Sequence, residues 1–102
     1  MPLVLPVEPE GRGHVYHQYV VRTAQRDALR HHLSDAGIGT AILYPQPIHL
    51  QDGYRERVAI GAGGLAESER AAREILCLPV YPELSEAQVD EIVTAVRGFF
   101  AV

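Results

Sequence analysis

The stretch Ser85–Phe100 leaves the chain little freedom in its local structure. Val89, Ile92, Val93, Val96, Phe99 and Phe100 recur at the spacing i, i+3, i+4, i+7, i+10, i+11, which lays one continuous apolar stripe along a helix. Ser85 and Gln88 stand where a capping box would close the first turn, and Leu84 and Val89 stand where a hydrophobic staple would flank it. A helix with one apolar stripe needs a covering layer, so the fold is governed by what the rest of the chain can lay against it.

Upstream, the β-branched and aromatic residues of Val15–Arg22 predict a strand. Thr23 is placed to cap a following helix whose apolar positions Ala28, Leu29, Leu33 and Ala36 share a face, and Gly37 sits where a left-handed terminating residue is wanted. Ile38–Leu43 predicts a second strand, shortened or bent at Gly39. Two prolines keep Tyr44-Pro45-Gln46-Pro47 out of helix or inner strand. A short helical piece is expected over Leu50–Arg57, then a mobile loop at Gly61, Gly63 and Gly64. A helix is expected over Leu65–Leu76, and a short third strand over Leu78–Tyr81. The order predicts an α+β fold: a small, mainly antiparallel sheet with helices packed on one face. Residues 1–13, punctuated by Pro2, Pro6 and Pro9, read as an extended linker or lead-in with no core pattern, leaving 14–102 as the domain.

Composition then removes whole classes of function. A chain of 102 residues is one domain, too small to enclose a deep site beside its core. Its nine basic side chains are all arginine, which excludes any chemistry needing a lysine amine. A formal charge of −4 with scattered arginines argues against nucleic acid as a partner. The single Cys77 permits no internal disulfide. No apolar run is long enough to span a membrane and the N-terminus lacks a signal peptide's basic region, so the expected location is cytoplasmic with no membrane partner.

Five histidines are the natural candidates for acid–base or ligand roles. His14 and His17 lie three apart on an expected strand and so point to opposite faces, while His31 and His32 are adjacent on an expected helix. No spacing resembles a metal site, and no nucleophile–base–orienter set is readable, so no catalytic residue is assigned. His49 differs. It ends a turn stiffened by two prolines, at the C-terminal end of an expected strand; Tyr44 opens that turn and Tyr54 follows five residues on. These three are the candidate binding residues, against the alternative that His49 is a hydrogen-bonded turn histidine. Cys77, between Leu76 and Leu78, reads as a small buried apolar residue. The glycines before the third helix lack the preceding strand and the lysine of a phosphate loop.

Several of these blocks, in order, resemble one family. They are Tyr16-His17-Gln18-Tyr19-Val20-Val21-Arg22, Arg26-Asp27-Ala28-Leu29, Gly37-Ile38-Gly39-Thr40, Tyr44-Pro45-Gln46-Pro47-Ile48-His49-Leu50-Gln51, Ser68-Glu69-Arg70 and Leu78-Pro79-Val80-Tyr81-Pro82-Glu83-Leu84. Across residues 14–100 the chain is similar to the DegT/DnrJ/EryC1/StrS aminotransferases, which use pyridoxal phosphate to aminate keto-sugars on nucleotide carriers. It resembles only their last quarter, the C-terminal small domain of a fold-type I aminotransferase. The large domain, with the cofactor-binding aspartate and the lysine that links to the cofactor, has no counterpart here. The resemblance implies a fragment that contacts substrate and a glutamate-type amino donor through His49 and Tyr44, with no cofactor bound covalently to this chain. Two positions depart from the family's pattern: Leu43 stands where a histidine often precedes the Tyr-Pro pair, and Cys77 where a serine is common. The missing large domain is the implied partner, and the surface it would cover implies self-association. The alternative reading is a stand-alone small-molecule-binding or protein-interaction module that reuses the fold.

Overall fold

Four residues of the first extended segment form a true strand. Tyr19–Arg22 (β1) pairs antiparallel with Ile75–Leu78 (β2) in the register Tyr19↔Leu78, Val20↔Cys77, Val21↔Leu76 and Arg22↔Ile75. The computed structural model, which describes residues 2–101, completes the order with α1 (Arg26–Asp35), a single 3-10 turn at Ile48–Leu50, α2 (Ala66–Glu74) between that turn and β2, and α3 (Glu86–Phe100). Alternation along the ribbon turns Tyr19, Val21, Leu76 and Leu78 to one side. That side carries the core, in which Val21 and Leu76 meet Leu29 and Leu33 of α1 and Val96 of α3. Burial of each of these side chains contributes on the order of 2 kcal/mol.

The architecture is the expected α+β arrangement, two antiparallel strands with three helices, but several boundaries move. The first strand begins at Tyr19 because Tyr16 turns left-handed (φ 49) and its amide donates to His14 Nδ1 at 2.8 Å, which takes residues 15–18 out of the ladder. Ile38–Leu43 contributes one bridge, Ala41↔Cys77, closed by two backbone hydrogen bonds, in place of a strand. Leu50–Arg57 is a run of turns with no helix beyond Leu50. The third strand lies at Ile75–Leu78, earlier than expected, because α2 ends at Glu74 and its next residue is already extended (Ile75 φ −77, ψ 141). Pro79 falls just beyond the last ladder residue, where a missing N–H costs nothing.

The lead-in also differs from a bare linker. Val4 exchanges both backbone hydrogen bonds with Arg22 (2.8 and 2.9 Å), and Leu3 packs against the core. The sheet is therefore flanked on each side by a single bridged residue, Val4 beside β1 and Ala41 beside β2.

Helix ends follow local chemistry closely where a glycine or a cap is present. Gly37 is left-handed (φ 78) after α1; its N–H bonds Ser34 O and that of Ile38 bonds Leu33 O, the paired closure of a Schellman motif. Ser85 and Gln88 complete the capping box of α3, at 3.2 and 3.0 Å. Thr23 does not cap α1: Gln25 is the N-cap residue, and Thr23 Oγ1 instead accepts from the Gln25 amide at 3.1 Å. Of the expected inward face of α1, Leu29 and Leu33 are fully buried, while Ala28 and Ala36 face solvent.

Arg26 is the least expected core member. It occupies the first position of α1, the positive end of the helix dipole, where a cation is disfavoured. Its Nη1 donates to Ala72 O and Ile75 O, both at 3.0 Å, and its Nε donates to Asp27 Oδ1 at 2.7 Å. These two carbonyls bracket the point where α2 passes directly into β2, so the guanidinium supplies donors that the abrupt helix end lacks. Arg26→Ala is expected to cost roughly 3 kcal/mol, because it leaves two carbonyls without their charged donor. Arg26→Met, which restores the apolar stem alone, should recover little of that. Urea unfolding of the three proteins measures both differences.

Candidate functional site

The turn after Ala41 is shaped by its prolines and braced by its own amides. Pro47 is extended (φ −61, ψ 153) and hands over to the 3-10 turn, in which Leu50 N bonds Pro47 O at 2.9 Å. Gln51 Nε2 reaches back to Gln46 O at 3.1 Å, and Arg55 Nη2 donates to Leu50 O at 3.0 Å. Tyr44 opens the turn in the left-handed region (φ 54), an uncommon conformation for a residue with a β-carbon. Its ring is not holding it there, since the residue is 79% exposed.

His49 is buried, at 8% exposure. Its Nε2 lies 3.1 Å from Oε1 of Glu69, which comes from α2, twenty residues along the chain. Tyr54 is half exposed, at 50%. Among the described residues, no hydrogen bond or ring contact joins Tyr44, His49 and Tyr54 to one another. The structure therefore gives His49 a carboxylate partner and leaves the two tyrosines exposed at the surface.

Glu69 was not singled out from the sequence as a site residue, because its connection to His49 is tertiary and no local spacing announces it. Helix α2 is itself tied down. Glu74 accepts from Arg70 at 3.0 Å and from Arg22 of β1 at 3.2 Å, and Arg70 also reaches Glu67 at 3.5 Å. The hydrogen bond from Arg70 holds the Glu74 carboxyl below the usual glutamate range against the opposing effect of desolvation, and Arg22 adds to it. Glu74 in turn is the main cause of the raised Arg70 guanidinium. The carboxyl is lowered in the fold, so this link is present at neutral pH and is lost as pH falls through the folded-state value.

Three of the remaining histidines have partners, while His17 is exposed. His32 Nε2 lies 3.0 Å from Ala95 O and its ring meets Phe99 at 5.4 Å, which joins α1 to α3. His31 lies 3.4 Å from Asp35 on the exposed face of α1, and His14 stacks on Tyr16. Cys77 is buried, and burial pushes its thiol up, away from the reactive thiolate. Among the described residues, no three His, Cys, Asp or Glu side chains gather as a metal site, and no helix is long and apolar enough to cross a membrane.

A second surface feature is apolar. Val89 and Val93 of the α3 stripe remain exposed, in contrast to the buried Val96. With Leu3, Leu5, Tyr19 and Leu78 they line an open cleft of about 470 Å³. The stripe expected to be core is thus covered at its C-terminal half and open at its N-terminal half.

Comparison with known proteins gives a consistent picture. Residues 1–97 match the profile of the DegT/DnrJ/EryC1/StrS aminotransferase family. The chain is 43% identical over 103 residues to a protein of Geobacillus stearothermophilus named pleiotropic regulatory protein, covering 96% of this chain and 26% of that one. It is 41% identical to dTDP-3-amino-3,4,6-trideoxy-alpha-D-glucose transaminase of Streptomyces venezuelae, covering 91% and 24%. Among solved structures, a DegT DnrJ EryC1 StrS aminotransferase from Brucella abortus superposes with a TM-score of 0.89 at 38% identity, over 96% of this chain and 26% of that one. S. venezuelae DesV in complex with a ketimine intermediate gives 0.89 at 37%, over 97% and 26%. The chain spans about a quarter of the length of the relatives it matches.

The left-handed Tyr44 yields a direct test. Tyr44→Gly removes the steric cost of that conformation and gives up little burial, so it should stabilise the domain by up to about 1 kcal/mol. A loss of stability by thermal or urea unfolding would mean that the exposed ring holds the turn in place.

Proposed function

The chain belongs to the DegT/DnrJ/EryC1/StrS aminotransferase family, and we propose that it serves as the C-terminal small domain of a pyridoxal-phosphate-dependent aminotransferase acting on a nucleotide-linked sugar. In this reading a large domain carries the cofactor and the reactive lysine, and residues 1–13 lead toward it. The small domain lends the Tyr44–His49 turn, with Tyr54 beside it, to contacts with the sugar or a glutamate-type amino donor. The single observation that carries the reading is the match along nearly the whole chain to only a quarter of each relative.

The residues present do not by themselves fit the cofactor. No lysine occurs in the 102 residues, so no side-chain amine is available to bond its aldehyde. Nor does the turn gather donors for a phosphate among the described residues: His49 is engaged by Glu69, and Tyr44 is exposed and makes no hydrogen bond to it. What this chain's groups can do is bind and orient. The prolines and the bracing amides hold the turn in one geometry, which lowers the entropy lost when a ligand is bound. The open apolar cleft fits a domain that is covered by further protein, either the large domain or a second copy.

The test is chemical. Pyridoxal phosphate added in equimolar amount to the purified chain, followed by borohydride, should leave every internal side chain unlabelled by mass spectrometry. Stoichiometric reductive labelling of an internal side chain would overturn the assignment of covalent chemistry to a large domain.

A further inference from the structure

His49 is the buried histidine among the described residues, and its two ring nitrogens have different surroundings. Nε2 faces the carboxylate of Glu69 at 3.1 Å. Nδ1 has no hydrogen-bond partner among the described residues, and no fully sealed polar side-chain atom lacks a partner among them, so Nδ1 is not completely sealed from solvent. An ionised carboxylate can only accept hydrogen bonds, so Nε2 must carry the hydrogen. In the neutral ring the lone pair then lies on Nδ1.

We infer that Glu69 is a positioning residue that fixes His49 as the Nε2–H tautomer and presents Nδ1 at the surface of the turn as a hydrogen-bond acceptor. A group docking on that nitrogen must therefore be a donor, and the matching class is a sugar hydroxyl; a donor carboxylate would meet a lone pair. Helix α2 is suited to this role because its C-terminal end is fixed twice, through Arg26 on Ala72 O and Ile75 O and through Arg22 on Glu74. The Glu69 carboxylate lies on the solvent side of the pair, with its side chain 38% exposed against 7% for His49, so the buried partner is the one whose orientation is fixed. The choice of hydroxyl over carboxylate rests on the proposed sugar-binding role of His49; the tautomer itself does not.

Nitrogen-15 NMR of histidine-labelled chain at pH 8 reads the arrangement directly. The expected spectrum shows a slowly exchanging ring proton on His49 Nε2, an unprotonated Nδ1, and no such protected proton on the exposed His14, His17 or His31. Glu69→Ala should abolish the protected proton, and Glu69→Gln, whose amide oxygen still accepts, should restore it. Adding acetate should leave the His49 Nδ1 resonance unmoved. A proton on Nδ1, the absence of a protected Nε2 proton in the unmodified chain, its survival in Glu69→Ala, or an acetate-dependent shift of Nδ1 would each overturn the inference. None of these readouts depends on the cofactor, so a labelled side chain in the borohydride experiment would defeat the assignment of covalent chemistry to a large domain and leave the tautomer standing.

Discussion

The guanidinium of Arg26 holds together the point at which the chain changes from helix to strand without a loop. α2 ends at Glu74 and β2 begins at Ile75, so no loop follows the helix to satisfy its last carbonyls; Glu74 O accepts from the Thr23 amide at 3.1 Å, and Ala72 O accepts from Arg26. Arg26 donates to one carbonyl on each side of the junction from the start of α1. This single side chain ties three elements at one place, and the cost of seating a cation at a helix N-terminus is offset by two charge-assisted hydrogen bonds. β2 can then pair with β1, and Leu76 can meet Val21, Leu29 and Leu33 in the core. The same anchoring sets the direction of α2, and so the place from which Glu69 reaches His49.

Between this clamp and the turn lies a graded set of constraints. The core face of the ribbon is covered by α1 and the later part of α3, while Val89 and Val93 continue the same stripe into the open. That division suits a domain whose covering is shared with further polypeptide. The candidate site has the same character. A braced turn with a positioned imidazole can orient a ligand, but it offers one wall and no reactive amine.

What could be read in the sequence was what local chemistry decides. The capping box at Ser85 and Gln88 and the left-handed Gly37 depend on neighbours a few residues away, and both are as expected. Strand limits depend on pairing with distant segments, which local composition does not announce. Residues 15–18 have strand composition but no ladder partner among the described residues, and Ile38–Leu43 keeps the bridge at Ala41. His49 was recognisable from its proline turn, whereas its burial and its partner Glu69 were not, because the contact joins residues of unrelated sequence position. Arg26 did leave a signal, a cation at the wrong end of a helix dipole, which implies a partner elsewhere in the fold. The resemblance to the aminotransferases carried the functional reading, and the geometry adds the Glu69–His49 pair to it.

On the proposed function, this domain presents one wall of a binding site and does not hold a sugar substrate by itself. Isothermal titration of a dTDP-linked amino sugar into the isolated chain tests it most directly. No saturable heat is expected with the chain at about 50 μM, equivalent to binding weaker than roughly −6 kcal/mol. A saturating, one-to-one isotherm with a Kd in the low micromolar range would contradict it and make the chain a complete binding module.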